Sequence, residues 1–270
     1  MNIKRLTGTV GLTAVLALGS TSAAHAITNG GPDNGEHPYV GLMVADDAEG
    51  NPLWRCSGTL VSPTVFVTAG HCTEAPAARA TIWFDEDIES GIPGNGYPFD
   101  GDVDGTTYTH PLFDPSAFFL YDLGVIVLDA PMIMPEYGTL PEVGQLDPLV
   151  RRRGRQDTTF TAVGYGLQRI NPVFIEGFRV RLQATLNLVT LKGLAGGSSG
   201  IPPKTSVWLT ANASTGGTCF GDSGGPIFAD DTNTIVAVTS YGLNGNCVGI
   251  GAGFRIDKEI ELGWLYSFLP

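Results

Sequence analysis

The chain has 270 residues, 27 of them acidic against 15 basic, for a formal net charge of −12. An excess of that sign favours solubility and argues against a nucleic-acid surface. The length is enough for one large or two small hydrophobic cores.

The first 26 residues read as an export leader. Lys4 and Arg5 open it, an apolar run extends from Leu6 to Leu18, and Ala24-His25-Ala26 supplies a small-x-small cleavage pattern. The run is shorter than the roughly 20 residues a membrane-spanning helix needs, so a cleaved leader is expected rather than a retained anchor. Cleavage there leaves Ile27 as the first residue.

Beyond the leader the apolar segments are short and rich in β-branched residues, separated by Gly and Pro. Candidate strands are Tyr39–Val44, Cys56–Val61, Val65–Ala69, Thr81–Phe84, Leu123–Leu128, Thr158–Val163, Arg179–Val189, Ser206–Ala211, Pro226–Phe228 and Ile235–Tyr241. Many short strands without βαβ alternation point to antiparallel sheets closed as barrels or sandwiches. Between them, the acidic, Gly-rich stretch Asp85–Thr107 and the Gly/Ser-rich stretch Lys192–Lys204 read as long surface loops. A basic run, Arg151-Arg152-Arg153-Gly154-Arg155, reads as a solvated connector between two halves, with no internal sequence repeat to relate them. At the end, Ile256, Ile260, Trp264 and Phe268 recur every fourth residue, which predicts an amphipathic helix over Asp257–Leu269.

Four cysteines, Cys56, Cys72, Cys219 and Cys247, form an even set suited to disulfides in an exported chain, with three pairings open. None of the spacings is that of a zinc site. Asp100-Gly101-Asp102-Val103-Asp104-Gly105 resembles the first half of a calcium loop. The twelfth position, where that loop needs a glutamate, is Pro111. A solvated acidic loop is therefore expected, with no metal and no other cofactor.

A serine becomes a useful nucleophile only when a base removes its proton and a further group orients that base. Gly221-Asp222-Ser223-Gly224-Gly225-Pro226 surrounds one serine with glycines, which let the backbone turn tightly and bring N–H groups to one point. Among the histidines, His25 leaves with the leader, and His37 and His110 each precede proline. His71 instead follows an apolar strand directly, in Thr68-Ala69-Gly70-His71-Cys72. Cys56–Cys72 and Cys219–Cys247 are the preferred pairings, since each closes a short loop around one of these two segments.

These two blocks, together with Tyr121-Asp122-Leu123-Gly124-Val125 between them, resemble the three catalytic blocks of the chymotrypsin/trypsin-like serine peptidases, and a secreted, bacterial-type member is the expectation. The resemblance implies an all-β fold of two antiparallel six-stranded β-barrels with a C-terminal α-helix. Residues 27–148 would form the barrel carrying His71 and Asp122, and residues 149–270 the barrel carrying Ser223. It implies Ser223 as nucleophile, His71 as base and acid, Asp122 as its orienting partner, and the N–H groups of Gly221 and Ser223 as the oxyanion hole. Asp114 and Asp129 rival Asp122, but only Asp122 begins an apolar strand.

Ser240-Tyr241-Gly242 matches the family's substrate-pairing strand, with tyrosine in place of tryptophan. Gly217, Thr218, Gly242 and Gly251 would line an uncharged pocket for the residue before the cleaved bond (P1), since Gly217 stands where trypsin-like members place an aspartate. Thr239 holds the place of the histidine found in glutamate-specific relatives, and Gly253 falls near a position that usually holds an aromatic. The family also implies that Ile27, once freed, carries an ammonium to Asp222. Expected partners are protein or peptide substrates and a protein inhibitor, with no nucleic acid, no membrane and a monomeric state. The competing readings are a catalytically silent binding member of the same fold and an esterase using the same triad. The His-before-Ser order contradicts an α/β-hydrolase.

Overall fold

The structure, a computed structural model, describes residues 27–150, 157–171, 174–193, 201–229 and 232–270. The leader, the Arg151–Arg155 run and most of the predicted loop Lys192–Lys204 lie outside the described residues.

Six strands form a first closed antiparallel barrel: β1 (Val40–Asp46), β2 (Pro52–Ser62), β3 (Val65–Thr68), β4 (Arg79–Trp83), β5 (Val103–Thr109) and β6 (Gly124–Leu128). Their order around the barrel is β1-β2-β3-β6-β5-β4, closed where β1 pairs with β4. Six more form the second: β7 (Thr159–Gly164), β8 (Leu182–Thr190), β9 (Ser206–Ala211), β10 (Pro226–Ala229), β11 (Ile235–Gly242) and β12 (Gly249–Arg255). Their order is β7-β8-β9-β12-β11-β10, closed where β10 pairs with β7. The two orders are the same pattern twice. The repeat that no sequence comparison of the halves reveals is thus present in the topology.

Two strands depart from the sequence reading. The predicted acidic loop Asp85–Thr107 ends in β5, and β12 carries no sequence signal for a strand. Both replace inward-facing hydrophobes with glycine. A Cβ at Gly105 would come within 2.5 Å of the Ile126 side chain, and one at Gly253 within 2.2 Å of that of Ile227. Barrel closure leaves no room for the residues that a periodicity search looks for. Two carboxylates of the run that resembles a calcium loop make side-chain hydrogen bonds at the neighbouring strand. Asp102 accepts the Phe84 amide at 2.7 Å, just past the end of β4, and Asp104 accepts the Thr81 hydroxyl on β4 at 2.8 Å.

The C-terminal helix runs from Glu259 to Tyr266, shorter than predicted; Ile256, Trp264 and Phe268 of the predicted face pack against the body. The helix buries Leu262 and Leu265, while Ile260, expected on the packed face, is 55% exposed.

The ends of the chain cross over between the barrels. Leu262 and Leu265 join a core cluster made mostly by the first barrel, with Val163, Phe228 and Phe254 from the second, while Trp264 packs edge-on against His110 and Phe268 lies against Tyr108 of the first barrel. Ile27, the first described residue, is buried in the core of the second barrel with Phe160, Leu182 and Val207, and Gly31–Pro32 pairs with β8. The terminal segments therefore do not follow the division at residue 148. Arg181 ties the halves further. Its Nε meets the Asp33 carboxylate at 2.9 Å, and its Nη1 donates to the carbonyls of Val40 and Phe84 and to the Tyr165 hydroxyl. A buried guanidinium satisfied this fully is costly to disturb, since loss of one partner leaves the others desolvated and unpaired.

Candidate active site

Both disulfides form as the sequence suggests. Cys56–Cys72 ties β2 to the helical turn Gly70–Thr73, and Cys219–Cys247 ties the segment before Ser223 to the β11–β12 connection. Loop-closure entropy assigns each about 3 kcal/mol. Replacing Cys219 and Cys247 together by serine is expected to lower the melting temperature by about 5 °C or more, read by circular dichroism under non-reducing conditions. The one group of metal-ligand types held closely together among the described residues is Cys56, His71 and Cys72. Its two sulfurs are joined in the disulfide and offer no thiolate.

His71 sits on the turn that follows β3, and Asp122 precedes β6, the strand paired with β3. That pairing brings them together. The His71 Nδ1 lies 2.9 and 3.0 Å from the two Asp122 oxygens, and the His71 backbone N–H donates to the same carboxylate at 2.9 Å. The Ser240 hydroxyl supplies a further donor to Asp122. Asp122 is fully buried, and only this set of donors makes a carboxylate tolerable there. Burial pulls the His71 pKa down, but the Asp122 charge and hydrogen bond outweigh it and hold the imidazole above its ordinary value.

The other histidines are occupied differently. His37 also faces a carboxylate, with Nδ1 2.6 Å from Asp33, but its ring stacks on Phe228. His110 accepts the Leu112 amide through Nδ1 and lies between Tyr121 and Trp264, where burial lowers its pKa.

Ser223 borders the same cleft as His71. Its turn needs glycine on both sides. Gly221 has φ +97°, and Gly224 has φ +76° with its Cα so close to β3 that a Cβ would meet the Thr68 hydroxyl at 2.0 Å. The turn is held by its own amides: Asp222 N–H donates to Cys219, Gly224 to Thr239 and Gly225 to Asp222. The N–H groups of Gly221 and Ser223 donate to no acceptor among the described residues. Two unspent backbone donors beside a hydroxyl are what binding of a developing oxyanion requires.

Asp222 points away from the cleft and is fully buried. Its oxygens accept the Gly166 and Cys219 amides, each at 2.8 Å, and burial raises its pKa to about 7. Ile27 contributes its side chain to the second core, and no hydrogen bond or ion pair among the described residues joins it to Asp222. In the full chain its nitrogen is still a peptide amide.

The cleft has a volume of about 740 Å³. The predicted residues Thr218, Ser240, Tyr241, Gly242 and Gly251 line it. Gly217 is not among the lining residues; its backbone is bridged to Thr28, and Ala211 lies within 2.6 Å of where its Cβ would stand. Ala211, Ile250 and Val248 also form its wall, and no carboxylate among the described residues lines the cleft. Sequence reasoning missed Trp54, Arg55, Phe118, Phe220 and Leu243, all of which border it. Only Arg55 carried a signal, its position next to Cys56, and that signal says nothing of direction.

Two barrels with this constellation between them define a chymotrypsin-like serine endopeptidase by class. The profile of the family described as Trypsin matches residues 29–257, and the chain belongs to that family. Spermosin of Halocynthia roretzi is 26% identical over 86% of this chain, which spans 60% of that relative's length. Serine protease 1 of Drosophila melanogaster is 26% identical, over 82% of this chain and 77% of its own length. These relatives are animal proteins, so the bacterial-type expectation finds no support. Among solved structures, HL collagenase superposes with a TM-score of 0.70 at 18% identity, covering 89% of this chain and 97% of its own. A mutant of human heparin binding protein (CAP37) superposes at 0.61 with 17% identity, covering 89% of this chain and 95% of its own. Both show the fold alone.

Proposed function

We propose that the protein is a secreted endopeptidase that cleaves peptide bonds through an acyl-enzyme on Ser223, with an uncharged P1 preference. The observation that carries this is His71, held by the buried Asp122 and facing the same cleft as Ser223, a serine with unspent amides at Gly221 and at its own nitrogen. Ser223 Oγ attacks the scissile carbonyl while His71 takes its proton, and the new oxyanion is met by the Gly221 and Ser223 N–H groups. Collapse breaks the C–N bond, and His71 returns the proton to the leaving amine. Water then repeats the sequence on the ester. Asp122 engages Nδ1 of the imidazole, which leaves Nε2 for the serine proton, and stabilises the cation.

Beside Ser223, the wall of Ala211, Thr218, Ile250 and Gly251 offers van der Waals contact but no counter-charge. A lysine or arginine entering it loses hydration without a partner. Peptides with Phe or Leu at P1 are expected to exceed their Lys and Arg counterparts by about tenfold or more in kcat/KM. Dominant cleavage after Arg in such a panel would refute the preference. Covalent labelling of Ser223 by a fluorophosphonate excludes the silent binding member. Comparison of ester with peptide turnover separates the esterase. The net charge of −12 also sets this chain apart from a binder of a polyanion such as heparin.

Secretion is supported by the leader pattern and by two disulfides, which persist in oxidising compartments. No helix among the described residues is long and apolar enough to cross a membrane. The activation step belongs to the same reading: release of residues 1–26 gives Ile27 an ammonium, which pairs with Asp222 in place of the amide contacts of the full chain.

A further inference from the structure

The cleft carries one feature that the triad and the P1 wall do not use. Arg55, at the entrance to the Cys56–Cys72 disulfide, borders the cleft beside Gly221: its Nε lies 3.5 Å from where a Gly221 Cβ would stand. Its Nη1 is buried and has no hydrogen-bond acceptor, and no carboxylate among the described residues forms an ion pair with it. Arg179, which lies over the Tyr97 ring at 4.8 Å, is near enough to oppose its charge. The Nε of Arg179 is likewise buried without a partner, while its Nη1 is spent on Glu89 at 2.7 Å. Burial lowers the Arg55 pKa, with Arg179 acting the same way, and together they outweigh the Tyr97 contact and the Asp222 charge that favour the cation, yet a guanidinium stays protonated throughout the working range. A cation half out of water in an otherwise acidic protein is a cost that a bound anion would offset.

Position determines which part of a substrate that anion belongs to. Within the peptidase reading, an acyl group seated on the P1 wall and the Ser240–Gly242 strand leaves Trp54, Arg55 and Phe220, which also line the cleft, to meet the peptide beyond the scissile bond. We infer that Arg55 is a specificity-determining residue that selects a carboxylate on the leaving-group side of the cleaved bond. The carboxylate is either an Asp or Glu side chain at the first or second position after that bond, or the free C-terminus of a short substrate. The inference rests on the peptidase reading and names the substrate class for the same site.

The test uses internally quenched peptides with a fixed apolar P1 residue. The first or second leaving-side residue is Asp, Asn or Lys, and each peptide is made with a free acid and an amidated C-terminus. For the wild-type enzyme, kcat/KM for Asp is expected to exceed that for Asn by about tenfold, the ratio that 1.4 kcal/mol of differential binding gives, with Lys lowest. If only the free-acid peptides gain, the terminus is the source of the same carboxylate. In Arg55→Gln the Asp/Asn and acid/amide ratios fall to near one, and Arg55→Lys restores part of them. Taking ratios within one preparation removes any general loss of activity, and fluorophosphonate labelling reports the folded active fraction. Equal turnover of Asp and Asn peptides and of acids and amides by wild type overturns the inference, as does a preference that survives Arg55→Gln. Failure to cleave any peptide would instead overturn the peptidase reading.

Discussion

Replacing Ser223 with alanine is expected to lower peptide turnover about 10⁶-fold, and His71→Ala by a similar factor, because neither residue works without the other. Asp122→Asn should cost about 10⁴-fold, since an amide next to Nδ1 favours the wrong tautomer of His71. The double variant Ser223→Ala/His71→Ala should be no slower than either single one; additive losses would mean that the two act separately. Single-turnover assays with an apolar P1 peptide measure all four. The folding readout should differ. Ser223 lies on the cleft and its Oγ makes no hydrogen bond among the described residues, so its loss should leave the melting temperature nearly unchanged. Asp122 is buried under four hydrogen-bond contacts from three donors, and its replacement should destabilise as well as inactivate.

The second large effect concerns Asp222 and the state of the N-terminus. In the full chain burial lifts its pKa from 3.8 to about 7, with only two backbone amides and the more distant Arg55 charge opposing the shift. A folded value above the unfolded one means that the folded protein binds the proton more tightly. Its stabilising contribution is therefore complete below the ordinary carboxylate range, and is lost as pH rises from about 4 through about 7. The loss is on the order of a few kcal/mol. In a chain that begins at Ile27, the ammonium reverses the sign by favouring the carboxylate, and this contribution is retained at neutral pH. Melting curves at pH 5 and pH 8 for residues 1–270 and 27–270, both carrying Ser223→Ala, isolate the effect. Every other titrating side chain from residue 28 onward is common to the two forms. The longer form should lose stability between the two pH values relative to the shorter; identical pH slopes would exclude the Ile27–Asp222 pair.

How far the sequence could be read depended on whether a feature is local. Ser223, His71 and the first cysteine pair stand in short runs whose glycines, flanking strands and spacing are contiguous, so their chemistry was visible in the chain. The barrel strands rich in Val, Ile and Thr were legible for the same reason. Strands β5 and β12 were not, because close approach across a closed barrel demands Gly105 and Gly253 where a strand pattern would show a hydrophobe. The C-terminal helix is legible together with most of its packed face, Ile256, Trp264 and Phe268, but four-residue spacing does not show that Leu262 and Leu265 are buried in preference to Ile260. The third donor to Asp122, Ser240, comes from 118 residues away. Arg55 reaches the cleft that Ser223 borders only because one barrel is folded against the other. Long-range partners of this kind leave no mark in the residues next to them.

The crossing of the chain ends has a consequence for modularity. Two barrels of identical strand order suggest a unit copied and then joined, and such copies would ordinarily be separable. Here each has surrendered part of its own covering to its twin: the last helix caps the first barrel, and the segment from Ile27 plugs the second. A fragment cut at the midpoint would expose one unsheathed core and carry a clasp with nothing to hold. The duplicated halves have become a pair that neither can leave, and the cleft between them inherits its permanence from that exchange.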